Sequence, residues 1–183
     1  EERVLEYRLQ HSSLCELSVD ELLARFGNGF PTPGGGSAAA LAGYLGVSLL
    51  RMTLEISERK CSDAAPKRAL QIARDHCEQA AAHFRFFVDE DSRTYDDLRQ
   101  VKREARTVTT EHSATAELFS KVIQSAETSA LRIPREIIIL ANQVLELLSS
   151  TRSQISEVVH SDLLVAGALL RAAVEGAQAV LDG

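Results

Sequence analysis

Tryptophan is absent from this 183-residue chain, methionine occurs once, and aromatic residues make up only 5% of it. Sheets draw on aromatic and β-branched side chains, so this scarcity beside abundant alanine and leucine favours helices. Prolines number four, and the three cysteines (Cys15, Cys61, Cys77) form no CxxC pair and leave an odd count. That pattern argues against a disulfide framework or a thiolate zinc site and fits a reducing cytoplasm. The net charge of -6 offers no broad cationic surface for nucleic acid, although a local basic pocket for a small anion remains open. The first thirty residues are charged throughout and do not read as a signal peptide. The longest apolar run, residues 38–50, is too short to span a bilayer and reads as a buried core helix. What is present is ordinary for a folded protein: 45% hydrophobic and 25% charged residues, enough for one soluble domain over residues 1–183.

The pattern along the chain is helical throughout. Residues 1–16 are a candidate N-terminal arm. Ser18 followed by Glu21 fits a capping box opening a short helix to Phe26, which the Gly27-Asn28-Gly29 run stops. A loop, Pro31-Thr32-Pro33-Gly34-Gly35-Gly36-Ser37, cannot be helix interior. The apolar segment after Ser37 predicts a central helix to about Ser57, with small residues that let neighbours approach. Ser62 or Asp63 then caps a helix whose stripe is Leu70, Ala73, Cys77, Ala80, Phe84, Phe87, Asp91, Tyr95 and Leu98, spaced by threes and fours. A polar stretch covers residues 99–111. Two further helices are predicted, near 114–130 and 133–149, then a polar connection over 151–160. Ser161 caps a last helix, 162–181. The fold class is an all-α single-domain bundle around a central buried helix.

Two features point to chemistry. Asp91 lies on the apolar stripe, where a charged carboxylate is costly unless paired. Burial raises the pKa of such a group and suits it to proton transfer near neutral pH, whereas a structural ion pair is the competing explanation. Asp89, Asp96 and Asp97 lie off the stripe. The glycine loop is the second feature: bare backbone at a helix start admits a ligand closely and offers N–H groups to anions or carbonyls, or else it is merely a tight turn. It matches neither nucleotide-binding glycine motif. His76 and His83 lack a metal-binding spacing, so no metal site is expected. Ser37 has no nearby histidine to activate it as a nucleophile.

At PTPGGGSAAALAGYLG the sequence resembles the cyclodeaminase/cyclohydrolase family, which includes the C-terminal domain of formiminotransferase-cyclodeaminase and methenyltetrahydrofolate cyclohydrolases. Pro31, Pro33 to Ser37, Ala39 and Ala40 carry the glycine motif. A basic pair (Arg59, Lys60), an acidic D-x-D before an aromatic (Asp89, Asp91, Tyr95), Ile133-Pro134, and S-D-L-x-V-A from Ser161 to Ala166 follow in order. The resemblance implies an all-helical homodimer acting on a one-carbon tetrahydrofolate derivative, as cyclodeaminase or as cyclohydrolase. It implies no metal or redox cofactor and neither a nucleic-acid nor a membrane partner. It places the catalytic aspartate at Asp91, with Asp89 as fallback. It assigns substrate binding to Pro33, Gly34, Gly35, Gly36, Ser37, Arg59, Lys60, Ser161 and Asp162. Two departures stand out. Ile155-Ser156 occupies the place of a Gly-Asn pair, and Glu58 stands near a missing glycine. A dimeric relative without catalysis, acting as a binding or regulatory protein, is the alternative.

Overall fold

The computed structural model describes residues 13–107 and 113–183. Most of the expected N-terminal arm, residues 1–12, lies outside them. The described residues form five α-helices and no strand: α1 (Val19–Phe26), α2 (Gly35–Lys60), α3 (Ala64–Thr107), α4 (Ser113–Thr151) and α5 (His160–Asp182). Short 3-10 turns at Leu14–Glu16, Arg152–Gln154 and Glu157–Val159 join or precede them.

α1 opens with the predicted capping box, in which Ser18 Oγ accepts the Glu21 N–H and the Glu21 carboxylate accepts the Ser18 N–H. Two free amides of the first turn, those of Ser18 and Glu21, are thereby matched. α2 packs against both α3 and α5. Its small residues set the spacing: a Cβ at Gly43 would lie 2.3 Å from the Phe84 ring, and one at Gly46 would lie 3.0 Å from Leu170. Contacts of Gly36 with Asp91 and Gly43 with Phe84 run in opposite senses along the two chains, so α2 is antiparallel to α3. Gly35 with Val180, Ala39 with Gly176 and Gly46 with Ala166 show the same for α5. The core between these helices holds Val47, Leu50 and Leu54 of α2, Leu70, Cys77, Phe84 and Val88 of α3, Ile133 and Ile137 of α4, and Leu163 and Leu170 of α5. Each fully buried leucine or phenylalanine there contributes about 1.5–3 kcal/mol over exposure.

Four expectations need correction. α4 is one continuous helix rather than two, with Pro134 inside it. The lost backbone bond costs roughly 3 kcal/mol, but Ile133, Ile137 and Ala141 are all buried and hold both halves on the same core. α3 continues through the polar stretch to Thr107, supported by Arg93–Asp97 and Arg99–Asp96 pairs along it and by Lys102–Glu127 to α4. α5 starts at His160 without a side-chain cap, so Ser161 lies inside it. Finally, α2 is not enclosed on all sides: Leu45 and Met52 are 57% and 37% exposed. The helices are also longer than the apolar run alone indicates. By length and composition, α2 and the segment Glu157–Asp182 could each cross a membrane. In this fold they lie side by side against α3 and α4, each keeping one apolar face open.

Candidate functional site at the start of α2

Gly34 is the residue before α2, and it carries no side chain to satisfy the free amides of the first turn. α3 supplies the acceptor instead. The Ser37 hydroxyl donates to Asp91 Oδ2 at 3.2 Å, and the Ser37 backbone amide also acts on the carboxylate. Ser92 Oγ lies 2.9 Å from Ser37 Oγ and extends the chain of hydroxyls. Gly36 makes the approach geometrically feasible, since a Cβ there would sit 2.0 Å from Asp91 Oδ1. The glycine is required by this contact, not by its backbone angles.

Asp91 is partly buried, and no salt bridge to it forms among the described residues. Desolvation pushes its carboxyl above the ordinary value, and the two bonds from Ser37 pull it back only in part. A carboxylate held by hydroxyls and an amide, without a fixed cation, can take and return a proton. The same arrangement caps α2, so Asp91 has a structural duty as well.

The loop residues gather around this point, with different exposures. Pro33, Gly36 and Ser37 are buried, Gly34 is partly so, and Gly35 is exposed. Ser37 is wholly enclosed, so it stands behind Asp91 and orients it. Thr32 Oγ1 donates to Asp96 Oδ2 at 2.9 Å, pinning the loop to the next turn of α3. Asp89 points elsewhere: its carboxylate accepts the Ser13 hydroxyl at 2.6 Å and the Leu14 N–H at 2.7 Å, tying the chain before α1 to α3. Two residues along a helix is a rotation of about 200°, so Asp89 and Asp91 cannot share one site.

The basic pair is at the other end. Gly36 and Lys60 are separated along α2 by about 36 Å at 1.5 Å per residue. Ser161 and Asp162 share the Lys60 end, where the Ser156 N–H donates to Ser57 Oγ at 2.9 Å. No small ligand bridges both groups within one copy. The departures noted in the sequence are occupied by internal contacts there. Glu58 accepts from Arg74 at 2.9 Å and Gln71 at 2.7 Å, and Arg59 pairs with Glu55 on its own helix.

The sequence reading overlooked Glu90. It is 8% exposed and is gripped by Arg93 through Nε at 2.8 Å and Nη2 at 2.6 Å, with Arg132 of α4 at 3.8 Å. The hydrogen bonds from Arg93 hold its carboxyl below the usual value. The Arg three residues later was the available signal. Ser92 had none, because only folding brings it to Ser37.

With this geometry in view, comparison with known proteins identifies the chain's relatives. The model of the family described as Formiminotransferase-cyclodeaminase matches residues 18–182. The chain belongs to that family. The formiminotransferase-cyclodeaminase match contains the glycine loop, Asp91, the basic pair and the start of α5. A crystal structure of formiminotetrahydrofolate cyclodeaminase from Thermotoga maritima has the same fold, with a TM-score of 0.76 and 17% identity. The likeness covers 91% of this chain and 77% of that one. A search of curated proteins finds no match.

Proposed function

We propose that the chain is a folate one-carbon enzyme that interconverts methenyltetrahydrofolate with its formimino or formyl derivative. The observation that carries this reading is the Asp91 carboxylate, seated on bare glycine backbone and without a cationic partner among the described residues, in a chain of this family. In the cyclodeaminase direction N10 attacks the formimino carbon on N5, giving a tetrahedral carbon bonded to both ring nitrogens and an amine. Asp91 takes the proton from N10 and returns it to the amine, which leaves as ammonia while the methenyl bridge closes. In the cyclohydrolase direction water adds to the bridge, Asp91 accepts its proton, and one C–N bond opens as that nitrogen is protonated. Gly34, Gly35 and Pro33 form the wall beside the reacting carbon, while Ser37 holds the carboxylate in place. The working unit is a homodimer, consistent with the open apolar faces of α2 and α5; light scattering that shows a monomer at micromolar concentration refutes this part.

A second reading is a dimer that keeps the fold without turnover. Its support is local: Glu58 and Ser156 fill their end of the molecule with internal bonds. A spectrophotometric assay of purified protein, run separately with formimino- and methenyltetrahydrofolate, distinguishes the two. Turnover of either substrate supports the enzyme, and no turnover of both leaves the inactive dimer.

A further inference from the structure

We propose that Ser92 is the outer station of a proton path, from Asp91 through Ser37 to Ser92, that clears the site of one proton in each hydrolytic turnover. The path rests on the folate reading for its substrate, and Ser92 is none of the residues that suggested that reading.

Three observations carry it. The hydrogen bonds have a fixed order. An ionised carboxylate only accepts, so the single hydroxyl proton of Ser37 is committed to Asp91 Oδ2. The 2.9 Å contact between the two serine oxygens is then a bond that Ser92 donates to Ser37. Next, burial is graded along the chain of hydroxyls. Ser37 is wholly enclosed and meets no water, whereas Ser92 is half-buried at the margin of the solvent. Finally, Ser92 departs from the habit of hydroxyls in this fold. At Ser48, Ser57, Thr94 and Thr128 the side chain donates to the carbonyl one turn back along its own helix, a common outlet for serine and threonine there. Ser92 lies mid-helix in α3 with the same outlet at Val88, yet its hydroxyl crosses to α2 and joins one already bonded to Asp91.

The proton balance says which reaction needs the path. In deamination of the protonated formimino group, the proton that Asp91 takes from N10 departs on ammonia, so Asp91 ends as it began. Hydrolysis differs. Water adds to the methenyl cation and gives Asp91 one proton, forming a neutral carbinol. As the C–N bond breaks, the nitrogen gains a proton and the carbinol oxygen loses one. Asp91 therefore still holds the first proton when the formyl product is complete. Discharge runs along the hydroxyls: Asp91 passes its proton to Ser37 Oγ, Ser37 passes its own to Ser92 Oγ, and Ser92 passes its own to water. Every O–H bond that breaks is matched by one that forms, and neither serine is left charged. Rotation of the two hydroxyls restores the starting order. In the ring-closing direction the same path runs inward. Ser92 touches no reacting atom and acts only through Ser37, so it positions the proton and is not itself catalytic.

Ser92→Val and Ser92→Thr test this, because the two side chains differ by a methyl against a hydroxyl, and the valine methyl occupies the place a substituting water would take. Each variant is melted to establish folding. Each is then assayed with methenyl- and formiminotetrahydrofolate in dilute and in concentrated imidazole, a mobile proton carrier, with uncatalysed rates subtracted. The path predicts that S92V loses about tenfold in kcat for methenyl hydrolysis in dilute buffer, less than the hundredfold or more of a group that transfers the proton itself. Concentrated imidazole restores that rate, deamination stays at the parent's rate, and S92T matches the parent throughout. Equal losses on both substrates, a loss that imidazole does not relieve, an equal loss in S92T, or parent-like hydrolysis by folded S92V each overturn the path and leave the folate reading standing. A parent that only deaminates does the same. If S92V does not fold, S92A is judged by the same criteria. A parent that turns over neither substrate rejects the folate reading, and the path falls with it.

Discussion

Adjacent glycines offer a controlled test of the site. Gly36→Ala and Gly35→Ala each add one methyl group in the first turn of α2, but the two methyls meet different neighbours. At Gly35 the new Cβ lies 3.3 Å from Val180, a contact that a small adjustment of one side chain relieves. At Gly36 it lies 2.0 Å from Asp91 Oδ1, against an ordinary contact of 3.4–4 Å, so the carboxylate must retreat by about 1.4 Å. Asp91 is short enough to rotate aside, giving up its bonds to Ser37. Hydrogen bonds to a charged group are worth about 1.5–3 kcal/mol, and replacing glycine in a helix returns roughly 0.5–1 kcal/mol. The net loss of about 1–2 kcal/mol lowers Tm by several degrees at this chain length and leaves the protein folded. Turnover suffers far more, since a catalytic group displaced by about 1 Å costs on the order of a hundredfold. We therefore expect Gly36→Ala to lose about a hundredfold in kcat with a modest drop in Tm, and Gly35→Ala, whose methyl enters the proposed substrate wall and not the Asp91 contact, to keep Tm near the parent's and kcat within a few-fold while raising KM. Parallel assays and thermal melts decide it. If Gly36→Ala keeps kcat within threefold of the parent, or both variants lose it equally, the role given to the Asp91 position is wrong.

Asp91→Asn should lose at least a hundredfold in turnover, the usual share of a general acid–base group. Because burial raises the Asp91 pKa, the folded chain binds more protons than the unfolded one between the two values, and stability falls as pH rises through that window. Melts across pH should thus show the stability difference moving in favour of D91N as pH rises, and a flat difference would contradict the raised pKa. Glu90→Gln should behave oppositely, costing about 1.5 kcal/mol, the low end for a charged hydrogen bond because Arg93 faces solvent, with kcat unchanged. Its depressed pKa means that this stabilisation is present above the ordinary glutamate value and is lost as pH falls through the folded pKa; a kcat loss as large as that of D91N would place Glu90 in the site.

Periodicity disclosed much of this molecule. The stripe from Leu70 to Leu98 is α3, and Asp91 does leave the core surface to meet the glycine loop. Tyr95 breaks the pattern at 43% exposed, with Thr94 buried in its place. The stripe drifts because 3.6 residues per turn does not divide seven evenly. Pro134 misled because local rules weigh a missing amide and cannot see a core gripping both sides of it. The long α3 was hidden for a related reason: a charged face carries no apolar period, yet ion pairs along it and across to α4 hold it helical. The separation of Arg59 and Lys60 from Asp91 was illegible, because motif order along a chain says nothing about which ends of antiparallel helices coincide.

One pair of contacts has a consequence for how this family can vary. Gly43 lies seven residues after Gly36 on α2, and Phe84 lies seven before Asp91 on the antiparallel α3. The ring seated on Gly43 therefore acts as an indexing pin for the carboxylate seated on Gly36, two helical turns away. Neither helix can slide past the other without lifting the ring from its notch, so a purely apolar contact calibrates a polar one. Drift in the core is then constrained by chemistry as well as by packing. A side chain added at position 43, or a ring lost at 84, is therefore expected to move the carboxylate at 91 as well as to disturb the core.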